Sequence, residues 1–196
     1  MWCSRSASGV NTVAVGPGSR RRAGARRYEP DLGTALFSLA NRLFSLRRPA
    51  EGRDAAREAS DILRKAVEGG DETRRSDLAL SLNALALCLT ATGEHDLALP
   101  PAVEAAHHLT DLAASDPTTY EPDLAVSLAG LAHRLIGVGD ATAAHQAALK
   151  AAPLARRLAD LRPDAFETEL AAALNSLSLA LVKLGYRQEA LGQGCS

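Results

Sequence analysis

The stretch Tyr120–Asp140 reads YEPDLAVSLAGLAHRLIGVGD. Leu124, Leu128, Leu131 and Leu135 fall at offsets 0, 4, 7 and 11 within it, a spacing that draws one apolar stripe on an α-helix and would scatter over both faces of a strand. Gly139 follows the last of these leucines by four residues, where a helix C-terminus favours a residue free to turn left-handed. Pro122 and Asp123 stand just ahead of the stripe, and they suit an expected helix start because proline pre-sets φ and a carboxylate faces the positive end of the helix dipole.

Worked outward, this register repeats. YEPDL occurs at Tyr28–Leu32 as well as Tyr120–Leu124, with the related RRSDL at Arg74–Leu78 and FETEL at Phe166–Leu170. Leu32, Leu78, Leu124 and Leu170 are each 46 residues apart. The remaining stripe positions are Leu36, Leu39 and Leu43; Leu82, Leu85 and Leu89; and Leu174, Leu177 and Leu181, so that all sixteen are leucine. A period held without insertion implies a structural unit of fixed size. Asp31, Asp77, Asp123 and Glu169 share the expected first turn, and Gly93, Gly139 and Gly185 end the stripe helix in three units.

A second helix is predicted in each unit, running in unit three from about Ala141 to Leu161. Ala59, Ala105 and Ala151 occupy one register position in it, and small residues there let two helices approach closely. Asp116-Pro117 and Arg162-Pro163-Asp164 read as turns before the next unit. A single hairpin of this kind cannot bury its own apolar face, so neighbours must cover it. Pro100-Pro101 and Pro153 fall inside second helices and predict kinks. Unit one has Arg47 where the others have glycine, and adds Pro49, so its turn is expected to be irregular.

The organisation expected from these signals is a disordered basic tail over 1–27 and a helical repeat domain over 28–196, with units 28–73, 74–119, 120–165 and a partial 166–196. The tail holds six arginines and no acid, and the rest carries 16 basic against 23 acidic residues. The fourth unit reaches Ser196 only about a turn and a half into its second helix. Its under-covered stripe is expected to meet a partner, to form a homo-oligomer contact, or to mark a chain cut from a longer array.

Composition excludes several classes. Hydrophobic residues at 46% and charged residues at 23% are ordinary for a globular chain, which argues against wholesale disorder. Aromatics at 4% favour Ala- and Leu-rich helices over a β-sandwich. No stretch reaches the roughly 18 apolar residues of a membrane span, and Gly9–Gly16 is too short and polar for a secretory core. Cys3, Cys88 and Cys195 lie far apart without CxxC spacing, so they are expected to be free thiols in a cytoplasmic protein.

The pattern LxxLAxxLxxxGD at Leu128–Asp140, followed by Ala144 and Ala151, resembles the tetratricopeptide repeat (TPR). The 46-residue unit is longer than the usual one of that family and is similar to the extended repeats of kinesin-light-chain type and of actinobacterial arrays. Glu169–Leu191 (ELAAALNSLSLALVKLGYRQEAL) is close to the latter form. The resemblance implies an all-α fold, a right-handed superhelical α-solenoid of stacked helix hairpins, and a non-enzymatic module that binds proteins. It also implies a concave groove lined by residues flanking the stripe on the first helices. By repeat register these are Thr34, Phe37, Asn41 and Phe44; Leu80, Asn83, Leu87 and Thr90; Val126, Ala129, His133 and Ile136; Ala172, Asn175, Leu179 and Lys183.

This set is mostly apolar, with Lys183 and His133 as its only basic members, so the expected ligand is an apolar peptide or helix rather than an acidic C-terminus. Phe37 and Phe44 are the expected exposed anchor. The alternative is that Leu80, Leu87 and Val126 merely pack against the second helices. No cofactor, metal site or catalytic constellation is expected. The five histidines form no HExxH, and no GxSxG surrounds Ser81 or Ser127. Two other readings stay open: a nucleic-acid-associated adaptor acting through its arginine tail, against which the acidic repeat region weighs, and a fragment of a larger bacterial signalling NTPase or protease array.

Overall fold

A computed structural model describes residues 17–185 of the chain. The described residues are all-α: seven helices follow one another, and each packs against the next. The first helices of the four units are α1 (Pro17–Ser45), α3 (Arg75–Ala91), α5 (Pro117–Gly137) and α7 (Pro163–Lys183). Between them lie the second helices α2 (Pro49–Glu68), α4 (His95–Ser115) and α6 (Ala141–Leu161). A 3-10 turn, Glu72–Arg74, precedes α3. Successive first helices also touch, α1 with α3, α3 with α5 and α5 with α7. The boundary expected at residue 27 falls within α1, and residues 1–16 and 186–196 lie outside the described residues.

The core is built where the leucine stripe meets the small residues of second helices. Leu78 and Leu82 of α3 are buried with Leu63 of α2 and Ala105 of α4. Leu124 and Leu128 of α5 pack with Ala106 and Leu109 of α4 and with Ala151 and Ala155 of α6. Ala59, Ala105 and Ala151 are wholly buried. Each fully buried leucine contributes roughly 1.5–3 kcal/mol of transfer free energy, so the buried stripe leucines of α3 and α5 stabilise the junctions between helices substantially. Leu131 is the exception in α5, being only partly buried.

The helix starts depart from the sequence expectation. α5 begins at Pro117, with the Asp116 side chain accepting from the Thr119 amide, and α7 begins at Pro163. The turn signals are thus the cap and first residue of the helices they precede, the positions where a carboxylate acceptor and a missing N–H cost nothing. Pro30 and Pro122 consequently sit inside α1 and α5, and Asp31 and Asp123 are not in a first turn; Asp77 is. α4 and α6 each continue as one helix through Pro100-Pro101 and Pro153.

The hairpin turns share one geometry. The stripe's last leucine accepts from the amide five residues on, Leu89 from Glu94 at 2.9 Å and Leu135 from Asp140 at 2.9 Å. Inside that loop Gly93 bonds to Thr90 and Gly139 to Ile136, with φ of 82° and 86°. This is the Schellman closure, which needs a left-handed residue. The turn of unit one is not irregular. Arg47 adopts φ 61°, and Arg48 donates to Leu43 at 2.9 Å, reproducing the same bonds without glycine. Pro49 then opens α2 at the place where its absent N–H is no loss.

Candidate functional site

The side of the first helices turned away from the stripe is open. Eleven of the register-predicted residues line a single cavity of about 580 Å³: Phe37 and Asn41 from α1, Leu80, Asn83, Leu87 and Thr90 from α3, Val126, Ala129 and His133 from α5, and Ala172 and Asn175 from α7. All four first helices therefore contribute. Leu87 and Val126 are 41% and 47% exposed, which disagrees with the alternative that they serve as packing against second helices.

Five predicted residues lie elsewhere. Thr34 turns to α3 and donates to Asp77 Oδ2 at 2.8 Å. Ile136 packs with Leu135 and Ala144 in the core between α5, α6 and α7. Phe44 is half-buried outside the cavity, and Leu179 and Lys183 are exposed outside it. Phe37 is also half-buried, packed against the cluster that holds Ala40 and Leu85, so the two phenylalanines do not form an exposed pair.

The register reading missed a second row. Asp123, Ser127, Gly130 and Arg134 follow one another at helical spacing on α5 and line the cavity beside the predicted Val126, Ala129 and His133. Ala84, Thr168 and Ser176 complete it. Ser127 donates to Asn83 Oδ1 at 3.0 Å, tying α5 to α3. Arg134 reaches the same helix, its Nε donating to the Ala86 carbonyl at 3.4 Å. A Cβ on Gly130 would lie 2.7 Å from Arg134 Nη1, so glycine here leaves the guanidinium room to lie over its own helix. The signal available in the sequence was the same i, i+4, i+7, i+11 spacing, one row over.

Two charges stand at opposite ends of this row. Burial pushes the Arg134 guanidinium down from its usual value and the Asp123 carboxyl up from its own. Asp123 is the repeat equivalent of Asp77, which accepts from Thr34 and faces Arg74 at 3.5 Å, while Arg74 also holds Asp31 at 2.6 Å. In register, Leu80 replaces Thr34 and Tyr120 replaces Arg74. Asp123 makes no hydrogen bond or ion pair among the described residues.

Such a surface can hold an extended or helical chain by apolar contact and by the amides of Asn41, Asn83 and Asn175. Among the described residues no three His, Cys, Asp or Glu side chains converge as metal ligands. No described helix is long and apolar enough to cross a membrane. No protein-family model matches the chain, and no curated protein matches it.

Proposed function

We propose that the chain is a non-enzymatic interaction module of tetratricopeptide type, in which the hairpins form a right-handed superhelical solenoid and a peptide or helix of a partner protein lies in the groove of the first helices. The observation that carries this reading is the cavity itself, to which α1, α3, α5 and α7 all contribute and whose walls expose Leu87 and Val126. Exposed apolar side chains in a concave setting mark a surface that gains by excluding water with a partner. The role is that of a cytoplasmic scaffold, adaptor or sensor arm.

Affinity capture from a nuclease-treated native lysate tests it, comparing wild type with Leu87→Glu and Val126→Glu variants whose helical circular dichroism is unchanged. Proteins retained by wild type and lost from both variants are the expected result. Equal retention by all three chains overturns the groove. Recovery of nucleic acid alone when nuclease is omitted, lost steeply with salt, would favour binding through the arginines of the N-terminal segment.

A further inference from the structure

We propose that Asp123 is an open cation subsite of the groove, selecting partner segments that place a lysine or arginine within an apolar stretch. This rests on the groove reading above and adds to it the charge of the ligand.

The argument comes from comparing two copies of one position. In unit two the carboxylate is spoken for, since Asp77 takes the Thr34 hydroxyl at 2.8 Å and lies in a network through Arg74 to Asp31. In unit three both partners are gone. Leucine stands at position 80 and tyrosine at 120, where the equivalent residues are Thr34 and Arg74. The basic residue Arg157 of α6 is committed to Glu121. Arg134 is held by the Ala86 carbonyl with its guanidinium over Gly130, two helical turns along α5 and about 10 Å from Asp123 by helix rise. Asp123 itself lines the cavity, among apolar neighbours that strip it of part of its water. A half-desolvated carboxylate with no donor gains most from a ligand that brings a charged one.

A second charge in the cavity reinforces the selection. The Arg134 guanidinium lies over Gly130 and lines the same cavity, so a cation is disfavoured beside it and the ligand's basic residue is directed toward Asp123. Leu80 and Val126 line the same cavity and supply apolar contact for the stem of a long basic side chain and for its neighbours.

Selection of random linear peptides displayed against the immobilised full chain tests this, with wild type, Asp123→Asn and Asp123→Lys run in parallel and each checked for unchanged helical circular dichroism and a single cooperative unfolding transition. Wild type is expected to enrich peptides with one Lys or Arg flanked by apolar residues. Those peptides should bind Asp123→Asn about tenfold more weakly, and Asp123→Lys should enrich Asp or Glu in their place. Wild-type peptides that show no basic preference, or an acidic one, yet lose binding to Leu87→Glu, overturn the subsite and leave the groove standing. Retention of the basic preference by Asp123→Asn also overturns the subsite. Failure of wild type to enrich any peptide sensitive to Leu87→Glu overturns the groove reading and the subsite together.

Discussion

α1 and α3 carry the same four leucines in the same register, yet the two helices use them differently. In α3 the stripe is buried throughout, with Leu82 at 1% exposure. In α1 Leu32 and Leu39 are 49% and 46% exposed, and only the side holding Ala40 is sealed. The difference is a neighbour. α3 lies between α2 and α4, whereas α1 has a second helix on one side only. A leucine stripe is therefore a request for burial that the preceding unit fulfils, and where no such unit is described the same residues stay wet. The core of this chain belongs to the junctions between units rather than to any one hairpin.

The largest test of that difference is a charge in each stripe. Leu82→Asp should unfold the helices around it, because an unpaired carboxylate in that core costs several kcal/mol, while Leu39→Asp should stay folded. The milder pair, Leu82→Ala and Leu39→Ala, should cost about 3 and at most about 1 kcal/mol in urea unfolding. Equal losses would show that α1 is covered after all.

The turns offer a medium-sized test, since Arg47 and Gly93 hold one geometry with different residues. A side chain in the left-handed region costs about 1 kcal/mol. Gly93→Ala should lose roughly that, and Arg47→Gly should gain a comparable or smaller amount, both read from the midpoint of thermal unfolding. Opposite signs confirm that backbone conformation sets the cost, and a loss on Arg47→Gly would mean that the arginine contributes through contacts.

The smallest effect separates Asp77 from Asp123. Burial raises the folded-state pKa of Asp123, so its ionised form opposes folding. That penalty is absent below the ordinary carboxyl pKa of roughly 4 and is fully present once the pH exceeds the raised folded value. Asp123→Asn should consequently melt higher than wild type at neutral pH, with the gap closing near about pH 3. Asp77→Asn should melt lower at neutral pH, because it discards the charge that faces Arg74.

How much of this was legible follows from what periodicity reports. The sixteen leucines and the 46-residue spacing made the helical repeat readable and placed Val126, Ala129 and His133 on the groove side. Periodicity names faces but not ends. The recurring YEPDL string therefore looked like a helix start, although Asp116 caps α5 several residues upstream of it. That misplacement also hides Asp123, because a helix start at YEPDL gives the carboxylate to the dipole whereas it lines the cavity. Ser127, Gly130 and Arg134 follow the same spacing one row over, a row that a reading centred on the stripe and its flanks passes by. Thr34 misled in the other direction, because a hydroxyl in a groove register can be drawn aside by a carboxylate on the next helix.

Arg47, Gly93 and Gly139 bring one more property. Each is exposed, each is the single left-handed residue of its hairpin tip, and each enters the turn's closure through its main chain, with the Thr92 hydroxyl adding a bond to the Leu89 carbonyl beside Gly93. A side chain at Gly93 or Gly139 would meet no neighbour, so the tips have room for attached chemistry although the stripe ends only four residues before them. They form three equivalent attachment points, one for each described hairpin, at which a foreign loop or a pair of dyes could be grafted to turn the molecule into its own ruler.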